Sequence, residues 1–163
     1  MQIKYLPHAF PEQYLRRSTA GAAGYDLRAC RLEAPNGRNV DFRIRGFTEV
    51  APGEVVAFGT GVALDMGAGY EETSLCGMVV PRSGLGSRGL VLANGTGIID
   101  PDYHGEIIVK LRNVSDEPLR VNAYDRIAQI LFVPVFFPAW EVVDEFTHVT
   151  ERGVDGFGST GVV

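Results

Sequence analysis

A chain of 163 residues, 45% hydrophobic and 21% charged, has the composition of one globular domain with enough length to bury a core. Its 20 glycines and 9 prolines favour short strands and turns over long helices. A net charge of −5, from 15 basic and 20 acidic residues, argues against a nucleic-acid backbone as partner. The N-terminus, MQIKYLPHAF, has no signal-type apolar core. The longest apolar run, residues 127–140, is broken by Gln129, Pro134 and Pro138 and is too short to span a bilayer. The expectation is a cytoplasmic protein without membrane attachment. Cys30 and Cys76 lie far apart; a disulfide stays open, but neither cysteine has metal-ligand spacing. The scattered His8, His104 and His148 argue against zinc.

QIKY (2–5) reads as a first strand, and the next dozen residues, with Pro7 and Pro11, as loop. In STAGAAGYDLRAC (18–30), small residues lead into an alternating stretch. Tyr25, Leu27 and Ala29 face one way, Asp26 and Arg28 the other. Taken alone, Asp26 reads as a solvated strand residue. PNG (35–37) and APG (51–53) are turn signals, and VDFRI (40–44) between them alternates as a strand. Residues 31–50 are therefore predicted to hold an extra hairpin. EVVAF (54–58), GVALDM (61–66) and LCGMVVP (75–81) are further strands.

PRSGLGSRGL (81–90) reads as a loop between apolar strands. Arginine offers a rigid fork of donors suited to phosphate oxygens, serine adds hydroxyls, and glycine lets backbone N–H groups face an anion. A flexible polar loop would use the same residues; the buried strand that abuts Arg-Ser-Gly favours anion binding.

NGTGIIDPDYHGE (94–106) gathers Asn94, Asp100, Asp102 and Tyr103 with three glycines. Apolar runs at 90–93 and 107–109 predict two strands joined by a turn over Pro101. Gly95 and Gly97 on the rising arm would let backbone approach a ligand. Asp, Pro and Gly are also ordinary turn residues, so the segment alone fits a plain turn and a site equally.

IIVKLRN (107–113) and LRV (119–121) flank a turn at 115–118. In YDRIAQILFVPVFF (124–137), Arg126, Ala128 and Ile130 alternate with Ile127, Gln129 and Leu131. Gln129, an amide in an apolar strand, needs a partner in the protein or in a ligand. WEVVDEF (140–146) reads as the last strand. The tail, ERGVDGFGSTGVV (151–163), almost spells a P-loop, but the required lysine is absent and no chain is left for the helix. It fits either a disordered tail or a lid, and Phe157 between glycines favours the lid. The fold reading is an antiparallel all-β sandwich or jelly roll with at most one short helix.

Together AGYDLRA (23–29), PRSGLG (81–86), GIIDPDYHGE (97–106), DRIAQ (125–129) and RGVDGFGSTG (152–161) resemble, in order, the five motifs of the trimeric deoxyuridine triphosphatase (dUTPase) family. The resemblance runs from residue 18 to the C-terminus. It implies a β jelly roll (β-clip) spanning 1–150, assembled as a homotrimer, with 151–163 as a swapped arm closing a neighbour's active site. It implies hydrolysis of dUTP to dUMP and pyrophosphate with Mg2+ held mainly by the substrate phosphates and no direct protein ligand. That reaction limits uracil in DNA and supplies dUMP for dTMP synthesis. By the same resemblance, Asp100 holds the attacking water, Tyr103 packs under the deoxyribose, and Asn94 with the backbone of Gly97 and Ile99 reads uracil. Arg82, Ser83, Gly84 and Gln129 bind phosphates, and Asp26 with Arg126 orders the phosphate and metal region. From another subunit's tail, Phe157 stacks on uracil while Arg152, Gly158, Ser159 and Thr160 close on the phosphates.

Three departures from the family pattern stand out. Tyr124 occupies a usual turn glycine, which costs energy if that position needs positive φ. Asp155 replaces a common tail glycine, and 31–50 looks longer than usual, a candidate surface for a protein partner. A deoxycytidine triphosphate deaminase shares this fold but uses a glutamate where this chain has Lys110. A binding or regulatory protein and a structural β-sandwich would each fit the same scaffold; Asp100, Tyr103 and Arg82 argue against a purely non-catalytic role but leave a second role open, and the five ordered motifs argue against a structural one.

Overall fold

The computed structural model describes residues 1–10, 15–33, 39–67 and 73–154. A six-stranded antiparallel sheet forms one layer. Its central strand is β6 (Val55–Asp65), which pairs along one edge with β10 (Glu106–Asn113) and along the other with β1 (Gln2–Tyr5) and β3 (Arg31–Glu33). β4 (Asn39–Asp41) extends it beyond β3, and β8 (Leu90–Leu92) extends it beyond β10. The four-stranded second sheet runs β2 (Tyr25–Arg28), β12 (Arg126–Phe136), β7 (Thr73–Pro81) and β9 (Gly97–Ile99). A two-stranded ribbon joins β5 (Phe47–Val50) to β11 (Leu119–Asn122). Leu27, Phe42, Phe58, Leu90, Ile107, Leu111, Val121, Ile127 and Ile130, drawn from all three sheets and the turn at Phe42, fill one core.

The predicted strands at 54–58 and 61–66 are one continuous strand, β6. Gly61 permits the fusion: it takes φ +72°, and a Cβ there would lie 2.5 Å from the Ala9 Cα. The predicted hairpin in 31–50 exists as β3–β4, but its second arm stops at Asp41. Phe42–Arg45 is a helical turn, α1, not the strand that alternation predicts. Its Phe42 is wholly buried against Phe58, with ring centroids 5.9 Å apart. Tertiary burial of one aromatic has overridden the local period. The PNG turn at 35–37 lies outside the described residues.

In β12 the predicted alternation breaks near its start. A bulge between Arg126 and Ala128 lets both Ile127 and Ala128 be buried. Pro134 is tolerated because β2 pairs only as far as Ile130, so the proline's missing N–H faces an open edge. WEVVDEF is not a strand. Every residue from 137 to 154 is exposed, Trp140 at 87% among them. Cys30 and Cys76 are buried and free, so the open question of a disulfide closes against it. No helix among the described residues is long and apolar enough to cross a membrane.

Candidate active site

Asp26 is no solvated strand residue. Its side chain is 13% exposed; Oδ1 lies 3.1 Å from Arg82 Nε, and Oδ2 accepts from Ser18 Oγ at 3.0 Å and Arg126 Nη1 at 3.5 Å. The sheet register explains the meeting. Arg126 opens β12 beside Arg28 of β2, and Arg82 directly follows β7, on the far side of β12. Gln129 pairs in register with Asp26 on one side and Val80 on the other. Its Nε2 donates to the Pro81 carbonyl at 3.4 Å, and its Oε1 occupies the place a Cβ at Gly24 would need. The amide thus has a partner in the protein, and Gly24 is the residue that makes room for it.

The predicted loop after Pro81 is a helical turn, α2 (Ser83–Gly86). It forms one wall of an open cleft of about 450 Å³ lined by Arg82, Ser83, Gly84, Leu85, Arg88, Asp125 and Arg126. A Cβ at Gly84 would meet nothing within 4 Å, so packing within this chain does not require glycine there. Three arginines against one aspartate on the lining make the cleft attractive to an anion of several charges. Sequence alone does not single out Arg88; only its place on this wall marks it.

The predicted hairpin is split between the two sheets. β8 pairs with β10, but β9 crosses to pair with β7, so the rising arm does not face the falling one. A turn at 93–96 makes the crossing: Gly95 takes φ +72°, and Asn94 Nδ2 donates to the Thr96 carbonyl at 3.3 Å. Gly97 fits tightly, since a Cβ there would stand 3.1 Å from Val79 Cβ. Its glycine thus serves sheet packing, and Ile99 in turn lies opposite Gly77. Asp100 ends β9 with an exposed side chain, and its carbonyl accepts from Tyr103 N–H at 3.1 Å. The Tyr103 hydroxyl donates to the Glu106 carbonyl at 3.0 Å, laying the ring across Gly105. A Cβ at Gly105 would fall 2.5 Å from Tyr103 Cζ and 2.9 Å from Cε2. Gly105 is the site residue sequence reasoning missed; its signal is the glycine two residues after an aromatic at a turn.

These two groups of residues are far apart within one chain. β9 is antiparallel to β7 with Ile99 opposite Gly77, which sets Asp100 beside Cys76. Burial and then the Asp100 charge raise the Cys76 thiol above its usual value, as that neighbourhood requires. From Cys76 to Arg82 is six residue steps along an unbroken strand, or about 20 Å. That is far more than a triphosphate spans. The Asn94–Tyr103 group and the Arg82–Arg126 group of one chain do not face one another across one ligand.

Arg152 is exposed beside a turn closed by Gly153 N–H on the Thr150 carbonyl at 3.1 Å. Asp155, Phe157, Gly158, Ser159 and Thr160 lie outside the described residues. Lys110 is exposed on β10, paired with Ala57. Among the described residues no three His, Cys, Asp or Glu side chains are grouped to hold a metal ion.

Comparison with known proteins identifies the family. The dUTPase family model matches residues 41–161. The deoxyuridine 5'-triphosphate nucleotidohydrolase of Francisella philomiragia is 38% identical over 163 residues, covering 99% of each chain. That of Laribacter hongkongensis is 40% identical over 162 residues, covering 99% of this chain and 97% of its own. Among solved structures, a Staphylococcus bacteriophage 80alpha dUTPase with dUpNHpp superposes with a TM-score of 0.76 at 27% identity, over 99% of this chain and 98% of that one. The dUTPase of Streptococcus mutans gives a TM-score of 0.65 at 26% identity, over 86% of this chain and 100% of that one. With its whole length matched in sequence and in backbone, the chain belongs to the dUTPase family.

Proposed function

We propose that the protein hydrolyses dUTP to dUMP and pyrophosphate in active sites shared between chains of a homotrimer. The family membership and the names of its relatives support the reaction. The shared site rests on one observation: Asp100 and Arg82 of the same chain lie about 20 Å apart along β7. A water held by Asp100 must reach the α-phosphorus while arginines hold the phosphates. A second chain therefore has to bring its Asp100 to the first chain's cleft.

In that assembled site Asp100 takes the proton of the attacking water, and its exposed carboxylate is open to do so. Tyr103, tethered through its hydroxyl, presents a ring face to the sugar. Asn94 and the backbone of Gly97 and Ile99 read the base, while Arg82, Ser83, Gly84 and Gln129 meet the phosphates. Asp26 holds Arg82 and Arg126 in place. Hydrolysis of an anhydride needs charge neutralised and a water aligned, and both are supplied without a covalent step. The cleft lining carries three arginines and one acid, Asp125, which already accepts from Asn122, and is unsuited to hold a bare cation. Magnesium would be held by the substrate phosphates rather than by these residues, and would supply charge neutralisation there. The arm from about 151 onward, with Arg152, Phe157, Gly158, Ser159 and Thr160, closes the site. The buried free thiols suit a reducing, cytoplasmic setting.

Subunit mixing tests the reading. Asp100→Asn and Arg82→Ala are each expected to remove most turnover. Co-expressed in equal amounts and assembled at random, they should recover about one quarter of the sites, because a site can draw Asp100 from one chain and Arg82 from another. Confirmed mixed trimers without recovered pyrophosphate release would place both residues in one chain's site and refute the shared arrangement. Release from dCTP with ammonia instead of from dUTP would refute the reaction.

A further inference from the structure

Glu106 has no part in the function proposed above, yet the exposed Tyr103 ring hangs from it. The Tyr103 hydroxyl donates to the Glu106 carbonyl at 3.0 Å, and the ring lies across Gly105. A ring tethered at its far end is placed only as well as its acceptor is placed. What fixes the Glu106 carbonyl therefore fixes the ring face offered to the sugar.

The sheet ladder is interrupted at this point. β10 pairs Glu106 with Ala63 and Ile108 with Gly59, so Thr60, Gly61 and Val62 of β6 bulge against the single residue Ile107. Backbone groups inside such a bulge need other partners, and side chains supply them. Gly61 N–H donates to Glu106 Oε1 at 2.8 Å, and Thr60 Oγ1 donates to the Ile107 carbonyl at 2.8 Å. His8 Nε2, 2.7 Å from Oε1, and Arg31 Nη2 on Oε2 complete the hold on a side chain that is only 11% exposed. Glycine makes room for it: a Cβ at Gly59 would lie 2.5 Å from Oε1. The segment carrying His8 is pinned in turn, since Leu6 N–H donates to the Gly61 carbonyl at 2.8 Å. Side chains thus do at the bulge what the ladder does elsewhere, and they do it at the residue whose carbonyl holds Tyr103.

We propose that Glu106 is a positioning residue for sugar selection: its carboxylate locks the start of β10 across the bulge, so that the Glu106 carbonyl holds the Tyr103 ring where it excludes a 2′-hydroxyl. His8 supports that carboxylate from the N-terminal segment. The inference rests on the reading of Tyr103 as the residue packed under the deoxyribose.

The test uses the full-length protein, with kcat/KM measured for dUTP and for UTP in the presence of magnesium, and with Tm and trimer mass followed for each variant. Tyr103→Phe keeps the ring and removes the tether. Glu106→Gln keeps the carbonyl that accepts the tether and removes the charge that fixes it. Each should lower the ratio of dUTP to UTP about fivefold or more, as expected when one hydrogen bond no longer places the ring. Combined, they should lower it no further than either alone, because both act through one contact. Asn113→Ala, at the far end of β10, loosens the same strand away from the tether, and should lower Tm while keeping the wild-type ratio. Where Glu106→Gln does not assemble, His8→Ala removes one of the three donors and should lower the ratio about twofold. A wild-type ratio in Tyr103→Phe or Glu106→Gln (or in His8→Ala in its place), additive losses in the double variant, or an equal fall in Asn113→Ala overturns the proposal. Tyr103→Ala is the control on the underlying reading. If it keeps the wild-type ratio, the ring does not select the sugar and the proposal falls with that reading, an outcome distinct from lost selection in Tyr103→Ala beside intact selection in Glu106→Gln.

Discussion

Glu106 begins β10 at an irregular step in its register with β6 and gathers three donors. His8 Nε2 lies 2.7 Å from Oε1, Gly61 N–H donates to Oε1 at 2.8 Å, and Arg31 Nη2 donates to Oε2 at 2.5 Å. The carboxylate therefore ties the N-terminal segment, β3 and β6 to β10. Replacing it by glutamine keeps the shape and one acceptor but removes the charge. Arg31 retains Glu33 at 3.2 Å, so the loss should fall below the ~3–5 kcal/mol of a buried cation stripped of every partner. Hydrogen bonds to a charged group contribute ~1.5–3 kcal/mol each, and a part-satisfied glutamine sets the net cost of Glu106→Gln at about 2–3 kcal/mol. At this chain length that lowers Tm by roughly 5–10 °C. The pH dependence gives the sharper check. Burial alone raises the Glu106 carboxyl, but the His8, Gly61 and Arg31 donors outweigh it and hold the group below its usual value. A folded-state value below the unfolded one stabilises above the unfolded value, near ~4.3, and that stabilisation is lost as pH falls through the folded value. Melts of both proteins at one fixed concentration should show a gap of several degrees at pH 7 that closes as pH drops below about 4. An equal gap at every pH where both fold, or no gap at neutrality, would refute the reasoning.

Three other outcomes are expected. Gly105→Ala drives a methyl into the Tyr103 ring, so discrimination of dUTP against UTP should fall at least about tenfold with melting nearly unchanged; intact discrimination would separate the ring from sugar selection. Asn113 is wholly buried, donates to the carbonyls of Val50 and Glu117 at 2.8 and 2.7 Å, and accepts from Ser115 N–H and Oγ at 2.9 and 2.7 Å. Asn113→Ala strands those groups and should cost about 3 kcal/mol in urea unfolding; a loss under about 1 kcal/mol would mean that water replaces the amide. Deleting residues 151–163 should abolish turnover and leave Tm unchanged, because the described residues of 137–154 are exposed; undiminished turnover would remove the closing arm from the mechanism.

Much of the fold is legible in the sequence because burial follows period along strands with one apolar face. β2 is an example: Leu27 and Ala29 are buried while Asp26 and Arg28 keep a part-exposed side. The failures share a cause in long-range packing. VDFRI alternates, yet its Phe42 is taken by the core as a helical turn. WEVVDEF is rich in strand formers, yet no strand among the described residues lies beside it, and a strand needs a partner for its backbone groups. In β12 the alternation holds except at the bulge, which is also what brings Arg126 round to Asp26. Tyr124 departs from the family pattern at a usual turn glycine, and the structure gives it φ 66°, the positive value at which a side chain there costs energy.

For the site, residue identity is legible in the sequence and spatial partnership is not. Asp26, Arg82, Arg126 and Gln129 come from three stretches of sequence, and only the order β2–β12–β7 shows that they converge. The split of the predicted hairpin matters more. Had β9 paired with β10, Asp100 would stand at the tip of a simple ribbon whose distance from Arg82 nothing fixed. Because β9 pairs with β7 instead, β7 measures that distance, and it is too long for one ligand. Gly77 permits this pairing. A Cβ there would stand 2.7 Å from Ile130 Cδ1 and 3.2 Å from Ile99 Cβ, so a larger residue at 77 would require both neighbours to shift. The glycine that seats β9 thereby sets the separation of Asp100 from Arg82 in one chain, the observation on which the proposed shared site rests.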